Sequence, residues 1–291
     1  MVLPQFEYLA PKTLGEACNL LAELGSVAKV MAGATDLIPP MRDKAFTADY
    51  LIDIKNIPGL DYLEYDEKEG LKIGALTKLR TIETSPIVKE KNPATAHAAK
   101  VIASTQIRAK ATMAGNICNA SPSNDSSPNL LVQEAKLLVQ GPNKDRVIPF
   151  NEFFAGFKKT ALEPGEIVTG IVIPPLAENE AAAYYKHAVR KAMDLAIIGV
   201  AAKIRVENGI CTDAKIALGA VAVTPVRAPK AEEILIGKEL TDEVIVAASE
   251  AAMNSCDPIS DIRASKEYRK DMVRVFTKRA IKDCLEQLAA K

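Results

Sequence analysis

The sequence is poor in the residues that most often build metal sites and catalytic triads. Among its 291 residues there are two histidines, His97 and His187, and five cysteines that lie far apart with no CxxC pair. Zinc and iron–sulfur sites use closely spaced Cys and His ligands, and a Ser-His-Asp triad needs a histidine beside its nucleophile. We therefore expect no metal site on this chain, and we expect any chemistry to be carried by a cofactor.

An excess of one charge and long apolar runs are also absent. The 37 Lys and Arg residues balance the 37 Asp and Glu residues, so nothing draws the chain toward nucleic acid or a membrane surface. No apolar run reaches the roughly 18 residues of a spanning helix, and the N-terminus lacks the pattern of a signal peptide. An odd, scattered set of cysteines fits reduced thiols. These features predict a cytoplasmic protein with no membrane span and no nucleic-acid partner.

Two stretches of small and polar residues stand out in a sequence otherwise rich in helix formers. The first is Ala-Gly-Ala-Thr-Asp at 32–36, and the second is Ala-Thr-Met-Ala-Gly-Asn-Ile-Cys-Asn-Ala-Ser-Pro-Ser-Asn-Asp at 111–125. Short side chains let backbone N–H groups approach a ligand closely, and consecutive N–H groups form anion sites. Two such loops predict an elongated phosphate-bearing ligand, such as a dinucleotide. The alternative is a pair of ordinary surface turns.

The elements around the first loop can be predicted from caps and breakers. Thr13 and Glu16 form a capping box before a helix that stops at Gly25. A short strand at 28–31 then leads directly into the loop at 32–36. The Pro39-Pro40 pair excludes the long helix that follows the glycine-rich turn of a Rossmann unit, so this loop is of another kind.

The rest of the pattern changes character near Pro175. Before it, apolar runs predict short strands at 50–54, 71–75, 136–140, 146–150 and 166–174, helices at 77–84 and 94–104, and a helix that has Pro128 in its first turn and runs through 131–135. After it, the pattern predicts three antiparallel strands at 182–189, 195–206 and 211–221, then helices at 229–236, 241–255 and 266–288. Strands followed by helices indicate a compact α+β domain.

Several motifs, taken in order, resemble those of one known family. They are the strand ending in Ala-Gly-x-Thr-Asp, the segment Gln106-Ile-Arg108 followed by the second loop, Tyr185-Lys186 with Arg190, the pair Met193-Asp194, and the segment from Arg263 to Arg269. Over essentially the whole chain these resemble the FAD-binding medium subunit of the molybdenum hydroxylases. That family includes xanthine dehydrogenase and carbon monoxide dehydrogenase, and the chain looks most similar to bacterial xanthine dehydrogenase-type subunits.

The resemblance implies an α+β fold in two parts. The first is a two-lobed FAD-binding domain of the vanillyl-alcohol-oxidase (PCMH) type, expected at residues 1–176 with lobes of about 1–57 and 58–176. The second, at residues 177–291, is an α+β domain like the C-terminal domain of the carbon monoxide dehydrogenase flavoprotein.

The resemblance also implies which residues bind FAD. The first pyrophosphate loop would be formed by Lys29, Val30, Met31, Ala32, Gly33, Ala34, Thr35 and Asp36, and the second by Thr112, Met113, Ala114, Gly115 and Asn116. Asn119 and Asp125 would lie nearer the flavin ring, and the backbone around Ile167 and Val168 would meet the isoalloxazine edge. Lys186 would place a cation near the flavin or its phosphates, where it would tune the flavin potential.

In function, the resemblance implies the electron-exit subunit of a molybdenum hydroxylase. FAD would receive electrons from a [2Fe–2S] cluster on a small partner subunit and pass them to an acceptor such as NAD+, while a molybdopterin-binding large subunit oxidises the substrate. No catalytic acid–base residue is expected on this chain. Two alternatives stay open: a freestanding flavin oxidoreductase with its own substrate pocket, and a structural subunit that has lost its flavin.

The last alternative is motivated by two departures from the family pattern. The family usually has Gly-Gly in both loops, and Ala34 and Ala114 replace one glycine in each. If either position needs a positive φ, alanine costs on the order of 1 kcal/mol. Because Gly33 and Gly115 are retained, we expect FAD binding to survive.

Four single residues have simpler structural interpretations. Asp125 precedes Ser-Ser-Pro, so it is a candidate N-cap of the following helix as well as a flavin ligand. Lys186 lies on an apolar strand, where a lysine ordinarily extends to solvent. Cys118, without a partner cysteine, is expected to serve packing, and His187 to lie on a partly exposed strand face.

Overall fold

The computed structural model describes residues 3–291 as three main sheets and a two-stranded ribbon, with helices packed around them. The first sheet is parallel, in the order β1-β3-β2, and two helices accompany it. Its elements are β1 (Glu7–Leu9), α1 (Leu14–Leu24), β2 (Ala28–Met31), α2 (Ile38–Arg42) and β3 (Tyr50–Asp53). The Thr13 hydroxyl accepts the Glu16 N–H at 3.2 Å, and Gly25 ends α1 at φ 58°. The predicted cap and stop are therefore confirmed.

The second sheet is antiparallel, in the order β4-β5-β10-β6-β7, and is covered by short helices. Its strands are β4 (Leu63–Asp66), β5 (Gly70–Gly74), β6 (Lys136–Gln140), β7 (Asp145–Pro149) and β10 (Ile167–Ile173), with the ribbon formed by β8 (Phe154–Gly156) and β9 (Lys159–Thr160). The helices are α3 (Leu79–Thr84), α4 (Pro86–Lys91), α5 (Pro93–Lys100), α6 (Thr105–Arg108), α7 (Met113–Cys118) and α8 (Ser126–Val132). Pro149 lies on the edge strand β7, where its missing N–H leaves no ladder bond unmade.

The third sheet runs β11-β12-β13-β14 and is antiparallel throughout. Its strands are β11 (Glu180–His187), β12 (Ile198–Glu207), β13 (Ile210–Gly219) and β14 (Val226–Arg227), and the helices that follow are α9 (Pro229–Leu235), α10 (Asp242–Asn254) and α11 (Lys266–Ala289). The α9 and α11 helices lie against one face of this sheet, and α10 packs on both of them. The opposite face packs on α8, which buries Tyr184, Ala201 and Ala217 in the same core as Leu130.

The mixed α+β architecture predicted from sequence is confirmed, and most elements lie within a few residues of their expected bounds. The main difference lies between residues 77 and 108, where α3 and α5 correspond to the two predicted helices but α4 and α6 were not predicted. Pro86 and Pro93 each stand at a helix start, where proline's missing N–H costs nothing, so each begins a new helix. The predicted domain bounds stay predictions.

Two kinds of feature are absent from residues 3–291. No helix there combines the length and the apolar character needed to cross a membrane. In the same residues no cluster of three or more Cys, His, Asp or Glu side chains is arranged to hold a metal ion.

Candidate functional site

A cavity of about 900 Å³ lies where the two small-residue loops meet the third sheet. Loop 32–36 and loop 111–125 form two of its walls, the start of β10 forms a third, and Lys186 with the segment 193–195 closes it from the C-terminal side. Small-molecule and cofactor pockets of proteins span about 300–1,000 Å³, so this one has the size for a large, elongated ligand.

The first loop is built from backbone rather than side chains. A Cβ on Gly33 would lie 2.3 Å from the Lys110 carbonyl oxygen and 2.8 Å from the Ala111 Cα, so glycine is what allows the two loops to touch. Among residues 3–291, the backbone N–H groups of residues 33–36 find no hydrogen-bond acceptor. Residues 33–36 also line the cavity, and consecutive unpaired N–H groups are what anion-binding loops use.

The two alanines that replace glycines differ in conformation. Ala34 adopts φ 60°, in the left-handed region that alanine enters at a cost of roughly 1–2 kcal/mol. Ala114 lies within helix α7 and is buried, so its alanine carries no such cost. The strain predicted for these two positions is therefore present at Ala34 and absent at Ala114, although loop 111–125 contains another left-handed alanine, Ala120, at φ 48°.

The second loop is held by side-chain hydrogen bonds. The Thr112 hydroxyl accepts the Gly115 N–H at 3.0 Å and so caps α7. Asn124 donates to the Asn116 carbonyl at 2.5 Å, and Ser126 donates its hydroxyl to Asn116 Oδ1 at 2.8 Å. This network fixes the loop from inside and leaves its small side chains along the cavity.

The start of β10 brings Ile167 and Val168 into the cavity wall together. Neighbouring strand residues ordinarily face opposite sides, but a register shift between Val168 and Gly170 distorts the pairing with β6. Glu166, just before them, accepts hydrogen bonds from Arg146 at 2.7 and 2.8 Å. Those bonds lower the pKa of Glu166 and anchor the beginning of the strand.

Asp125 and Lys186 form a buried ion pair between the two halves of the chain. Lys186 Nζ lies 2.8 Å from Asp125 Oδ2 and 3.1 Å from the Val101 carbonyl, and both side chains are less than 10 % exposed. Asp125 Oδ1 accepts the Tyr184 hydroxyl at 2.9 Å. Burial raises the pKa of Asp125, and the neighbouring Lys186 opposes that rise.

Both simpler interpretations of this pair are wrong. Asp125 makes no capping bond; Asn124 Oδ1 instead accepts the N–H groups of Ser126 and Ser127 at 2.9 and 3.0 Å. Lys186 does not extend to solvent, because the buried Asp125 carboxylate offers its ammonium a charged partner. Since the two charges compensate each other, Lys186 is not a free cation in the cavity.

All but two of the predicted site residues line the cavity. The exceptions are Met31, which packs with Met41 and Leu51, and Met113, which is fully buried in the core beneath the second sheet. Their side chains turn away because the elements that carry them, β2 and α7, each need an apolar residue on their inner face. The roles of the other residues in binding FAD stay predictions.

The cavity also has lining residues that sequence reasoning did not place in the site. Among them are Met193, Asp194 and Leu195, the turn at 102–104, and Lys158. The Met193 N–H donates to the Ala103 carbonyl at 3.3 Å. This bond joins the segment 193–195 to the turn at 102–104 at the rim of the cavity. Ala103, Lys158 and Met193 all have positive φ. Because none of them is a glycine, the sequence does not indicate these backbone conformations.

Asp36, Cys118 and His187 are three further titratable residues for which the sequence led to an expectation. Burial raises the pKa of Asp36 in the first loop, and Lys158 opposes that rise. Cys118 is exposed to the cavity, so its predicted packing role is wrong. His187 is partly exposed at the end of β11, as predicted, with its Nε2 atom 3.0 Å from the Tyr268 hydroxyl.

Comparison with protein families gives two matches that together span most of the chain. Residues 4–176 match the FAD binding domain in molybdopterin dehydrogenase, and residues 183–284 match the CO dehydrogenase flavoprotein C-terminal domain. The two-part architecture expected from the sequence is therefore confirmed.

Individual relatives agree over nearly their full length. The carbon monoxide dehydrogenase medium chain of Hydrogenophaga pseudoflava is 38% identical over 281 residues, covering 97% of each chain. The xanthine dehydrogenase FAD-binding subunit of Escherichia coli O157:H7 is 35% identical over 285 residues, covering 98% of this chain and 97% of the relative. These identities do not single out the xanthine dehydrogenase type.

Solved structures show the same likeness. A chain of the Hydrogenophaga pseudoflava carbon monoxide dehydrogenase that lacks the Mo-pyranopterin moiety of the molybdenum cofactor superposes with a TM-score of 0.94 at 38% identity, covering 98% of this chain and 99% of that one. A chain of quinoline 2-oxidoreductase from Pseudomonas putida 86 gives 0.92 at 26% identity, covering 99% of both.

Proposed function

Because the chain belongs to the FAD-binding subunits of the molybdenum hydroxylases, we propose that it holds FAD in the cavity between its two small-residue loops and the third sheet. There it serves as the electron-exit subunit of an oxidoreductase complex. The partners are a small subunit with a [2Fe–2S] cluster and a large subunit with the molybdenum cofactor, where the substrate is oxidised.

The observation that carries this proposal is the unpaired backbone of loop 32–36 beside a cavity of about 900 Å³. FAD carries a pyrophosphate between two ring systems, and its anionic oxygens suit a row of free N–H donors. Gly33 keeps the adjoining loop close, and loop 111–116 offers a second wall of small residues. The residues present therefore fit FAD in both size and chemistry.

In this proposal the chain itself performs no acid–base step. Bound FAD supplies the redox centre that takes electrons singly from the cluster and delivers them to an acceptor such as NAD+. The first loop binds the phosphates, Ile167 and Val168 give the ring an apolar edge to lie against, and the Asp125–Lys186 pair keeps the adjoining wall free of net charge.

The acceptor is tested by rapid mixing of the substrate-reduced complex with NAD+ under anaerobic conditions. We expect the flavin absorbance near 450 nm to return at a rate that keeps pace with turnover. Gly115→Val, which would press a larger side chain on the Thr112 cap, should lower flavin content and the size of this signal together. No return of absorbance with NAD+, but a rapid one with another oxidant, would replace NAD+ as the acceptor.

The same preparation separates the two alternatives. Bleaching of the isolated flavin-loaded chain by an organic substrate would indicate a freestanding oxidoreductase. Assembly with the partner subunits but without flavin would indicate a structural subunit, the case motivated by the strained Ala34. A cytoplasmic location is part of the proposal, and the five free cysteines support it.

A further inference from the structure

Strand β11 carries two polar side chains to the same carboxylate. Successive strand residues alternate between faces, so Tyr184 and Lys186 point to the side that packs on α8, whereas Tyr185 points to the other side. The Tyr184 hydroxyl meets Asp125 Oδ1 at 2.9 Å, and Lys186 Nζ meets Oδ2 at 2.8 Å. One strand thus occupies both oxygens of Asp125.

Capping of α8 does not explain why Asp125 is buried between Tyr184 and Lys186. The Asn124 side-chain oxygen already caps the start of α8: it accepts hydrogen bonds from the N–H groups of Ser126 and Ser127 and from the Ser127 hydroxyl. Asp125 nevertheless lies buried in the wall of the cavity, where an ionised carboxylate is costly unless it is paired and hydrogen-bonded. Its orientation therefore depends on what β11 provides.

The neighbouring strand leaves room for the phenol. Gly199 on β12 pairs with Lys186, and a Cβ at Gly199 would lie 2.9 Å from the Tyr184 hydroxyl oxygen. Tyr184 is almost fully buried, and burial together with Asp125 raises its pKa well above the usual value. The hydroxyl consequently stays protonated at working pH and can act only as the donor to Asp125 in this contact.

We propose that Tyr184 is a positioning residue of the flavin site: its hydroxyl holds the Asp125 carboxylate ionised and turned toward Lys186, so that the ammonium faces the cofactor already neutralised. Tyr184 acts through Asp125 and does not line the cavity. This inference rests on the proposed function, because it assigns the electrostatics of that same site.

The proposal predicts a change in the pH at which Asp125 takes up a proton. The titratable and charged groups in contact with Asp125 are Tyr184 and Lys186, both on β11. Its neighbours in the preceding loop and on α8 are uncharged: Asn124, Ser126 and Ser127. Other charged groups of the cavity wall are Lys29, Asp36, Lys158, Glu166 and Asp194. Losing a hydrogen bond to the ionised form should move the protonation midpoint upward by about one pH unit.

The test compares Tyr184→Phe with Tyr185→Phe in the flavin-loaded full chain. Tyr185 is the matched control because its hydroxyl also donates to a carboxylate, Asp283 at 3.2 Å, but on the opposite face. The visible absorption of the bound flavin is recorded from the ordinary aspartate pKa, about 3.9, up to about pH 9. We expect the acidic transition of Tyr184→Phe to lie about one pH unit above that of the unaltered chain and of Tyr185→Phe.

A second variant covers the case in which Tyr184→Phe does not fold. Gly199→Ala keeps the phenol but displaces its hydroxyl, and should raise the midpoint in the same direction. An unchanged midpoint in both site variants, an equal rise in Tyr185→Phe, or no transition in any of these proteins would overturn the inference. Failure of the unaltered chain to bind FAD would instead contradict the proposed function, on which the inference depends.

Discussion

The two small-residue loops have nearly the same composition but hold their shape by different means. In loop 32–36, Ala34 adopts φ 60° and the N–H groups of residues 33–36 find no acceptor within residues 3–291. Loop 111–125 contains a short helix with its own cap and is tied by Asn and Ser side chains and by the Asp125–Lys186 pair. In the proposed function, loops of similar composition therefore serve as a receptor in one case and as a scaffold in the other.

Removing the cation that holds the second loop should have the largest effect. Lys186→Met leaves the buried Asp125 carboxylate without its charged partner, so we expect the free energy of unfolding to fall by about 3 kcal/mol at pH 8. Urea denaturation measures this change. Lys91→Met, which breaks an ion pair with the mostly exposed Glu67, should cost no more than about 1 kcal/mol.

The same variant has a defined pH dependence. Burial raises the pKa of Asp125 in the folded chain, so the folded state binds more protons than the unfolded state between the ordinary aspartate pKa, about 3.9, and the raised value. Stability from this group is therefore present at low pH and is lost as pH rises through that window. Without Lys186 the window extends upward, and the cost of Lys186→Met should be smaller at pH 5 than at pH 8. Equal costs at both would contradict the buried pair.

The contact between the loops gives the next largest effect. Gly33→Ala places a Cβ against the Lys110 carbonyl and the Ala111 Cα, and neither backbone atom can turn aside. We expect a loss of about 2 kcal/mol in stability and at least tenfold weaker FAD binding, measured by urea denaturation and flavin fluorescence titration. Gly15→Ala, which meets nothing within 4 Å, should leave FAD binding unchanged. Unchanged binding in Gly33→Ala would remove the first loop from the site.

The smallest effects should have opposite signs in the two loops. Ala34→Gly removes the strain of an alanine in the left-handed region, and the added flexibility of the unfolded chain offsets part of that gain. We expect a net stabilisation of about 0.5 kcal/mol. Ala114→Gly removes a buried methyl from a helix and should destabilise it by about 1.5 kcal/mol. Both changes are read from urea midpoints. The same sign in both variants would contradict the different backbone conformations of Ala34 and Ala114.

Local features of the sequence predicted much of the site. The small residues of both loops, the Thr13 cap and the three long strands of the third sheet are encoded over a few neighbouring positions, and each lies where it was expected. Composition alone predicted that two loops would face one ligand. The resemblance to a known family supplied the identity of that ligand.

What escaped prediction depends on contacts between distant segments. The partner of Asp125 lies 61 residues away, and alternation along β11 does not reveal which helix covers the face of Tyr184 and Lys186. The segment 193–195 reaches the cavity because Met193 bonds to Ala103, a contact between two turns with positive φ. Likewise, the sequence at Ala34 and Ala114 looks equivalent, and only the backbone separates them.

The central claim, that this cavity holds FAD, is tested most directly by the visible absorption spectrum of the purified chain after incubation with FAD and removal of free cofactor. We predict flavin bands corresponding to about one FAD per chain, and markedly less in Gly33→Ala under the same conditions. A colourless unaltered chain, both alone and in complex with its partner subunits, would contradict the account.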